Sequence, residues 1–354
     1  MPKFKDNVLG FIPEEEWLNM DFQVTRPNDP IDSLFDDDQT DNLVAAWESL
    51  ASEYQIPVMA QFHGFDTEAQ KTFRAPIDNH NIEKGLIKVK INQSERMRAL
   101  TRAGVQNDQM YDYVLNDGIR LADQVITRAH VAKNELMATG KVTIKENNLD
   151  LTVDYGVSDT QTAFTLDLAP NADISAQIQA IVDAANDKGV ILTGMLTSKK
   201  NIVKMRKNEG LQRDINGNAA AGQLIRSNSL YAYLEEEFGL ERIVLNDLKY
   251  GASSSIGADG RPVVQTARYF PEDKVTFFAT NPAGRMGRGL WGAPPEIDAV
   301  KELDPKASAV SPYVYISQWA EKDPAVLWTK ASTLFMPVLF NPDSLWIATV
   351  NDGV

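Results

Sequence analysis

The chain has 354 residues, 43% of them hydrophobic, enough to build two or three compact units with real cores. Its formal charge of −14 repels nucleic acid, and the absence of cysteine excludes disulfides, thiol catalysis and thiolate metal sites. No run of roughly 18 apolar residues could span a membrane, and the start at Met1-Pro2-Lys3-Phe4 lacks an apolar signal core, so assembly inside a cell is expected.

Residues 1–54 read as an N-terminal arm. Pro13, Pro27 and Pro30 interrupt it, and the acidic runs Glu14-Glu15-Glu16 and Asp36-Asp37-Asp38 bracket the isolated hydrophobes Trp17, Phe22 and Phe35. Such a segment cannot bury its own aromatic rings and should dock them on something else. Leu43, Trp47 and Leu50 fall on one helical face, predicting a short helix over 41–54. The acidic run from Asp36 is not a calcium loop. Asp41 stands where the sharp turn needs glycine and Trp47 where a bidentate glutamate belongs, so a solvated acidic loop is expected.

Residues 55–95 form a second unit with no helical period. One strand is expected at 57–62 and a returning one at 86–91, where Ile87, Val89 and Ile91 alternate with lysines. A two-stranded hairpin alone is marginal in water, and about 40 residues of this kind usually mark a binding arm or a flexible loop. Asn92-Gln93-Ser94 matches a glycosylation triplet only by accident if the chain stays inside a cell.

A long helix is expected over 106–139. Met110, Val114, Gly118, Ala122, Val125, Ala129, Ala132 and Leu136 recur at steps of four and three, with polar residues on the other faces. One apolar stripe on so long a rod suggests a spine on which other parts of the chain, or other copies, are laid. Gly140 ends it as a left-handed cap. A hairpin follows directly: Val142 and Ile144 alternate out, residues 146–148 turn, and Leu149, Leu151, Val153 and Tyr155 alternate back to Gly156.

Beyond it, residues 162–168 alternate as a strand, and Ile174, Ile178, Ile181, Val182 and Ala185 mark an amphipathic helix closed by Gly189. Val190-Ile191-Leu192 is expected as a short buried strand. A brief basic helix spans 199–207; without interleaved aromatics it reads as a solvated or salt-bridging face rather than a nucleic-acid site. A helix over 228–238, strands over 243–250, 262–265 and 274–279, and a turn-rich insertion over 251–257 complete the middle. Gly287-Arg288-Gly289-Leu290-Trp291-Gly292 has the form of a dinucleotide fingerprint, but Pro294 and Pro295 bar the helix that would offer amides to a pyrophosphate; Gly289 and Gly292 are assigned to a structural turn. Residues 313–319 and 325–328 should form a hairpin beside the spine, with 335–340 and 345–350 returning to the middle domain. The irregular order of strands and helices indicates an α+β class.

Arg128, Glu135-Leu136, Thr139-Gly140-Lys141 and Val153-Asp154-Tyr155-Gly156, followed by Gly289-Leu290-Trp291-Gly292-Ala293-Pro294-Pro295-Glu296, resemble in order and spacing the lambda-like major capsid proteins of tailed phages, the phage capsid protein E family. That family is similar in fold to the wider group of tailed-phage and herpesvirus shells. It often carries an acidic residue two places after the arginine; this chain has His130, which leaves an ion pair there open.

The resemblance implies a Hong Kong-type capsid fold: the arm 1–54, an extended loop 55–95 lying over a neighbouring subunit, a peripheral domain of 96–170 with 305–336, and an axial domain of 171–304 with 337–354. It implies self-assembly through pentamers and hexamers into an icosahedral head around double-stranded DNA, in the host cytoplasm. The genome would face the inner wall without specific binding. Implied partners are other copies, a separate scaffolding protein, a portal protein, often a decoration protein, and a head-maturation protease that could trim the N-terminus. Trp17, Phe22, Phe62, Arg74, Ile87 and Val89 are the expected inter-subunit contacts.

Only three histidines are present, His63, His80 and His130, too scattered for a metal pair, and no P-loop, zinc-protease motif or nucleophile elbow occurs. No catalytic, cofactor-binding or metal residue is assigned. Two other readings remain: an encapsulin-like compartment shell, which a cargo groove would mark, and a metabolic α+β enzyme, which a bound cofactor would mark.

Overall fold

The computed structural model describes residues 29–49, 78–93, 107–146, 149–217, 222–256, 262–297, 308–311, 313–322 and 325–351. A 3₁₀ turn at Pro30–Ser33 leads into strands β1 (Phe35–Gln39), β2 (Val44–Ser49), β3 (Asp78–Glu83) and β4 (Gly85–Gln93). The spine helix α1 (Asn107–Thr139) is followed by β5 (Lys141–Glu146), β6 (Leu149–Asp154), one helical turn at Asp159–Thr162 and β7 (Phe164–Asp167). Then come α2 (Ile174–Asp187), β8 (Gly194–Thr197), α3 (Lys199–Lys207), α4 (Glu209–Asn216), α5 (Ser227–Phe238) and β9 (Arg242–Leu245). The remaining strands are β10 (Lys249–Ile256), β11 (Pro262–Arg268), β12 (Lys274–Phe278), β13 (Gly287–Gly292), β14 (Ser308–Ser311), β15 (Val314–Lys322), β16 (Ala325–Leu339) and β17 (Leu345–Asn351).

The 33 residues of α1 make a rod of about 50 Å. Ala122, Val125, Ala129, Ala132 and Leu136 bury the expected stripe, and Leu121, outside it, is buried too. A second stripe, His130, Asn134 and Met137, with Lys133 beside it, is also buried. The C-terminal half of the spine is therefore enclosed on more than one side, where one apolar stripe was expected. Gly140 ends it at φ 70, its N–H donating to Leu136 O at 2.8 Å; a Cβ there would also lie 2.9 Å from Val157.

Two sheets enclose that half. The first has the order β1-β13-β16-β15-β14, with β4 pairing along β16 beyond β13. The second runs β7-β17-β12-β8-β9. In the second sheet alternate residues serve two cores. Phe278, Leu196, Leu345 and Ile347 join the core around the spine, while Val275, Phe277, Met195, Trp346 and Ala348 join the core under α2, α3 and α5. Because side chains alternate across a strand, these near-continuous apolar runs mean burial on both faces. The late strand β17 lies between β7 and β12, so late sequence completes early structure, as the order of segments suggested.

Five expectations on local structure are corrected. Within 41–54, Val44–Ser49 is a strand antiparallel to β3, with Ala45 buried against Leu290 and Val338; a paired edge outweighs a weak helical pattern. Val190-Ile191-Leu192 is not a strand: Val190 and Leu192 sink into the second core, Ile191 is exposed, and pairing starts at Gly194. Residues 251–256 continue β10 and pair with β11 instead of turning. Gly287–Gly292 is a strand between β1 and β16. Finally, β16 stays in the first sheet to Leu339, so 335–339 and 287–292 belong beside the spine rather than in the middle domain.

Candidate functional site: a buried hub and the faces around it

The segment 29–39 is fastened to the spine by its own chain. Asp29 caps the 3₁₀ turn, its Oδ1 accepting from the Ile31 N–H at 3.0 Å, and Pro30 suits the first helical position. Ile31, Leu34 and Phe35 are fully buried in the spine core. Phe35 was expected to need another surface; it finds one here. β1 then runs parallel to β13, from Phe35 opposite Gly287 to Gln39 opposite Trp291.

Beneath this segment lies a polar hub. The Asp29 carboxylate accepts from Asn134 Nδ2 at 3.1 Å and Asn246 Nδ2 at 2.9 Å, and Asn246 also donates to Asn134 Oδ1 at 2.8 Å. His130 places Nδ1 3.6 Å from Asp29 and Nε2 3.2 Å from Asp32. The residue that departs from the family pattern thus faces two carboxylates. Lys133, fully buried, reaches Asp32 at 3.1 Å and Asp37 at 2.9 Å. Burial pushes the Asp29 carboxyl up to about 6, and the Asp32 charge adds to that; the hydrogen bonds from Ile31 and Asn134 and the Lys133 charge oppose it. Around the hub, Arg285 meets Asp36 at 2.7 Å and Arg288 meets Asp38 at 3.7 Å. The run 36–38 is thus a strand whose three acids each face a basic group, not a solvated loop.

The sequence reading missed this hub. Its only signal was a second stripe: His130, Asn134 and Met137 continue a period of four and three beside the first one. Asp29 and Asn246 carried no local signal, being 217 positions apart.

A second tie fixes the base of the extended strands. Buried Lys84 donates to Thr40 O (2.8 Å), Thr40 Oγ1 (2.9 Å) and Trp291 O (3.0 Å). Burial draws its pKa down, while Asp41 and Asp38 act the other way. Close packing here explains two glycines read as turn residues. A Cβ on Gly289 would come within 2.3 Å of Asp37 Oδ1, and one on Gly292 within 3.0 Å of Lys84 Nζ. Both are strand positions that leave room for a neighbour. Gly156, like Gly140, has a positive φ, at 79.

The motif after the spine builds the joint between helix and hairpin. Glu135 Oε1 accepts from the Thr143 N–H at 2.9 Å, and Thr139 Oγ1 donates to Glu135 O at 2.8 Å. Arg128 meets Glu146 at 3.1 Å and Lys141 meets Asp154 at 2.8 Å. The lysine holds the Asp154 carboxyl below its usual range. Tyr155, buried, donates its hydroxyl to Pro337 O at 2.6 Å and so pins the hairpin to β16.

What these ties hold out is apolar. Leu43, Val44 and Leu86 are exposed around the β2–β3 base, and Leu149 and Leu151 on the β5–β6 hairpin. On β4 the alternation divides labour: Ile87 and Val89 are half-buried against Leu121, Ala122 and Val125 of the spine, while Leu86, Lys88 and Lys90 face out. Lys90 sits 4.1 Å above the Trp328 ring, and Trp328 stacks beside Trp319 at 6.3 Å. Ile87 and Val89 thus do work inside the chain that the sequence reading did not give them. Trp17, Phe22, Phe62 and Arg74, and the strand expected at 57–62, lie outside the described residues.

Among the described residues, no group of three or more histidine, aspartate or glutamate side chains could hold a metal ion, and no helix is long and apolar enough to cross a membrane.

A family model described as phage major capsid protein E matches residues 87–350. No curated protein sequence matches the chain. Similar solved structures include a prophage capsid protein of E. coli CFT073, at 15% identity and TM-score 0.47 over 78% of this chain and 80% of that one. A phage-related protein of Bordetella bronchiseptica RB50 is 10% identical, with TM-score 0.48 over 91% of each chain. A protein of Mycobacterium phage Cain is 11% identical, with TM-score 0.47 over 93% of this chain and 92% of that one.

Proposed function

Because the chain belongs to the phage major capsid protein E family, which makes it a structural protein of the virion shell with the α+β Hong Kong-type architecture, we propose that it builds an icosahedral head through pentamers and hexamers around double-stranded DNA. The observation that carries this beyond family membership is where the exposed apolar residues lie. Leu43, Val44, Leu86, Leu149 and Leu151 sit on or beside two-stranded hairpins, elements that are marginal alone and gain partners when another copy covers them. Obligate interfaces in general bury about 2,000–5,000 Å², so these patches would form part of larger contacts.

In this reading the arm up to residue 28, with Trp17 and Phe22, and the loop tip, with Phe62 and Arg74, reach neighbouring subunits. The open sides of Ile87 and Val89 join Leu86 in the same contact. The unit around the spine and the first sheet is the peripheral domain, and the second sheet with α2 to α5 is the axial domain that meets its equivalents in each capsomer. A separate scaffolding protein, a portal, often a decoration protein and a head-maturation protease are the partners, and assembly takes place in the host cytoplasm. The subunit itself performs no catalysis. Family membership weighs against the compartment-shell alternative.

Electron microscopy of the purified chain, with and without a co-expressed scaffold, tests this. Closed shells are expected from the intact chain. A variant lacking 64–77, which spares β3 and Lys84, should stay folded by circular dichroism yet fail to close shells. Normal heads from that deletion would refute the role given to the loop.

A further inference from the structure

One surface runs against the charge of the rest of the molecule. Between α3 and the foot of the β10–β11 hairpin lies an open cleft of about 550 Å³, within the usual range for binding clefts. Lys199, Lys200, Lys204 and Lys207 enter it from α3, Lys249 from β10 and Arg268 from β11. Among the described residues, Asp247 and Glu272 pair with some of these cations. Asp247 accepts from the Lys199 N–H at 3.2 Å and lies 3.5 Å from Arg268, and Glu272 pairs with Lys200 at 3.0 Å and with Arg268. Six basic side chains are thus gathered around one concavity of a chain whose net charge is −14.

Asp29 is anchored beside this cleft. It is held by Asn246, the residue next to Asp247 in the cleft wall. His130, which faces Asp29, also meets Tyr269, the neighbour of Arg268, ring to ring at 6.5 Å. The 28 residues before Asp29 carry one run of three carboxylates, Glu14-Glu15-Glu16, thirteen positions from Asp29. Thirteen residues reach at most about 45 Å extended, and a flexible chain of that length averages about 20 Å. A tether that short sets an effective concentration on the order of millimolar, so even weak charge pairing would hold the segment.

We propose that in the unassembled subunit Glu14-Glu15-Glu16 of the same chain occupies this cleft, the carboxylates pairing with the lysines of α3 and with Lys249. The clasp anchors the far end of the N-terminal segment as the hub anchors its near end. Nucleic acid is the weaker occupant, since the net charge of −14 repels a phosphate backbone and, among the described residues, no aromatic group lines the cleft.

Zero-length carbodiimide coupling of the full-length subunit, kept dilute and checked to be monomeric, tests this directly. In an equal mixture of ¹⁴N- and ¹⁵N-labelled chains, peptide mapping should join residues 14–16 to Lys199, Lys200, Lys204, Lys207 or Lys249 within one isotope. The yield should fall several-fold between about 0.05 M and 0.5 M salt, as the charges are screened. Cross-links that mix isotopes, that reach other lysines, or that fail to form would overturn the proposal. An independent arm uses the triple variant Glu14→Gln, Glu15→Gln, Glu16→Gln and a fluorescent oligoglutamate peptide. Removing the internal competitor should tighten peptide binding several-fold relative to the unaltered chain. Equal affinities, or a short DNA duplex outcompeting the peptide at the cleft, would overturn it too.

Discussion

The two sheets show how one chain can be finished in one place and unfinished in another. The sheet of β7, β17, β12, β8 and β9 is covered on both faces by its own chain, spine on one side and helices on the other. The sheet of β1, β13, β16, β15, β14 and β4 packs one face of its far part on the spine and turns Leu86, Lys88, Lys90 and Trp319 outward. The hairpin beside it carries Leu149 and Leu151 in the open. Burial on both faces makes the first region a source of stability. Exposure of apolar residues on marginal hairpins makes the second a place where another surface is needed.

Substitutions should separate these roles. The largest loss is expected from Trp346→Ala in the finished sheet. Trp346 is 1% exposed, packs on Phe164 at 5.8 Å and donates its indole N–H to Asp343 O at 2.8 Å. Truncation should cost about 3–5 kcal/mol in denaturant unfolding, whether or not shells form. A loss under about 1 kcal/mol would mean that this sheet is not the stabilising one.

Next comes the hub that joins the N-terminal segment to the spine. Lys133→Met leaves Asp32 and Asp37 facing a buried methyl group where their cation stood. Because both acids keep some contact with water, about 2–4 kcal/mol is expected, somewhat below the loss for a fully enclosed pair. Limited proteolysis should then cut near residues 29–39 before it cuts the second sheet, and the reverse order would sink the assignment.

Asp29 adds a pH signature of similar or smaller size. Its carboxyl titrates at about 6 in the folded chain and at about 3.9 when unfolded, so the folded state holds the proton more tightly. Its contribution is full below the unfolded value and is lost as pH rises through about 6. The stability of the native chain minus that of Asp29→Asn should fall by up to about 3 kcal/mol between pH 4 and 7. A difference that stays level or rises would contradict the buried position given to Asp29.

The smallest effect on the monomer should come from the unfinished region. Leu149→Ser is expected within about 0.5 kcal/mol in unfolding, since the side chain is 52% exposed. Light scattering under assembly conditions should nevertheless show slower or incomplete growth. Unchanged assembly would remove this hairpin from the contact surface.

Legibility followed the reach of the signal. The spine, its hairpin and the two amphipathic helices at Ile174–Asp187 and Ser227–Phe238 could be read because their periods are local and each ends at a glycine with positive φ, or just before one. β2 was misread because six residues of weak pattern have no preference strong enough to resist a strand partner 29 to 39 positions away, Ser49 facing Asp78 at the nearer end and Val44 facing Glu83 at the farther. The strand at Gly287–Gly292 looked like a turn because glycine's local meaning is freedom. Here its role is absence of bulk, decided by Asp37, Phe335 and Lys84 arriving from elsewhere. For the same reason the hub was invisible: Asp29, Lys133 and Asn246 are ordinary polar residues until the fold gathers them.

By itself the amino-acid sequence determined the α+β class, the long helix with its hairpin, and the order of motifs that marks the capsid family, all of which rest on spacing along the chain. Only the tertiary structure decided which residues of 29–39 are internal, which face of β4 the spine takes, and where basic groups gather in an acidic molecule. Those outcomes depend on pairings between distant strands and on charges removed together from water, and neither leaves a period in the sequence.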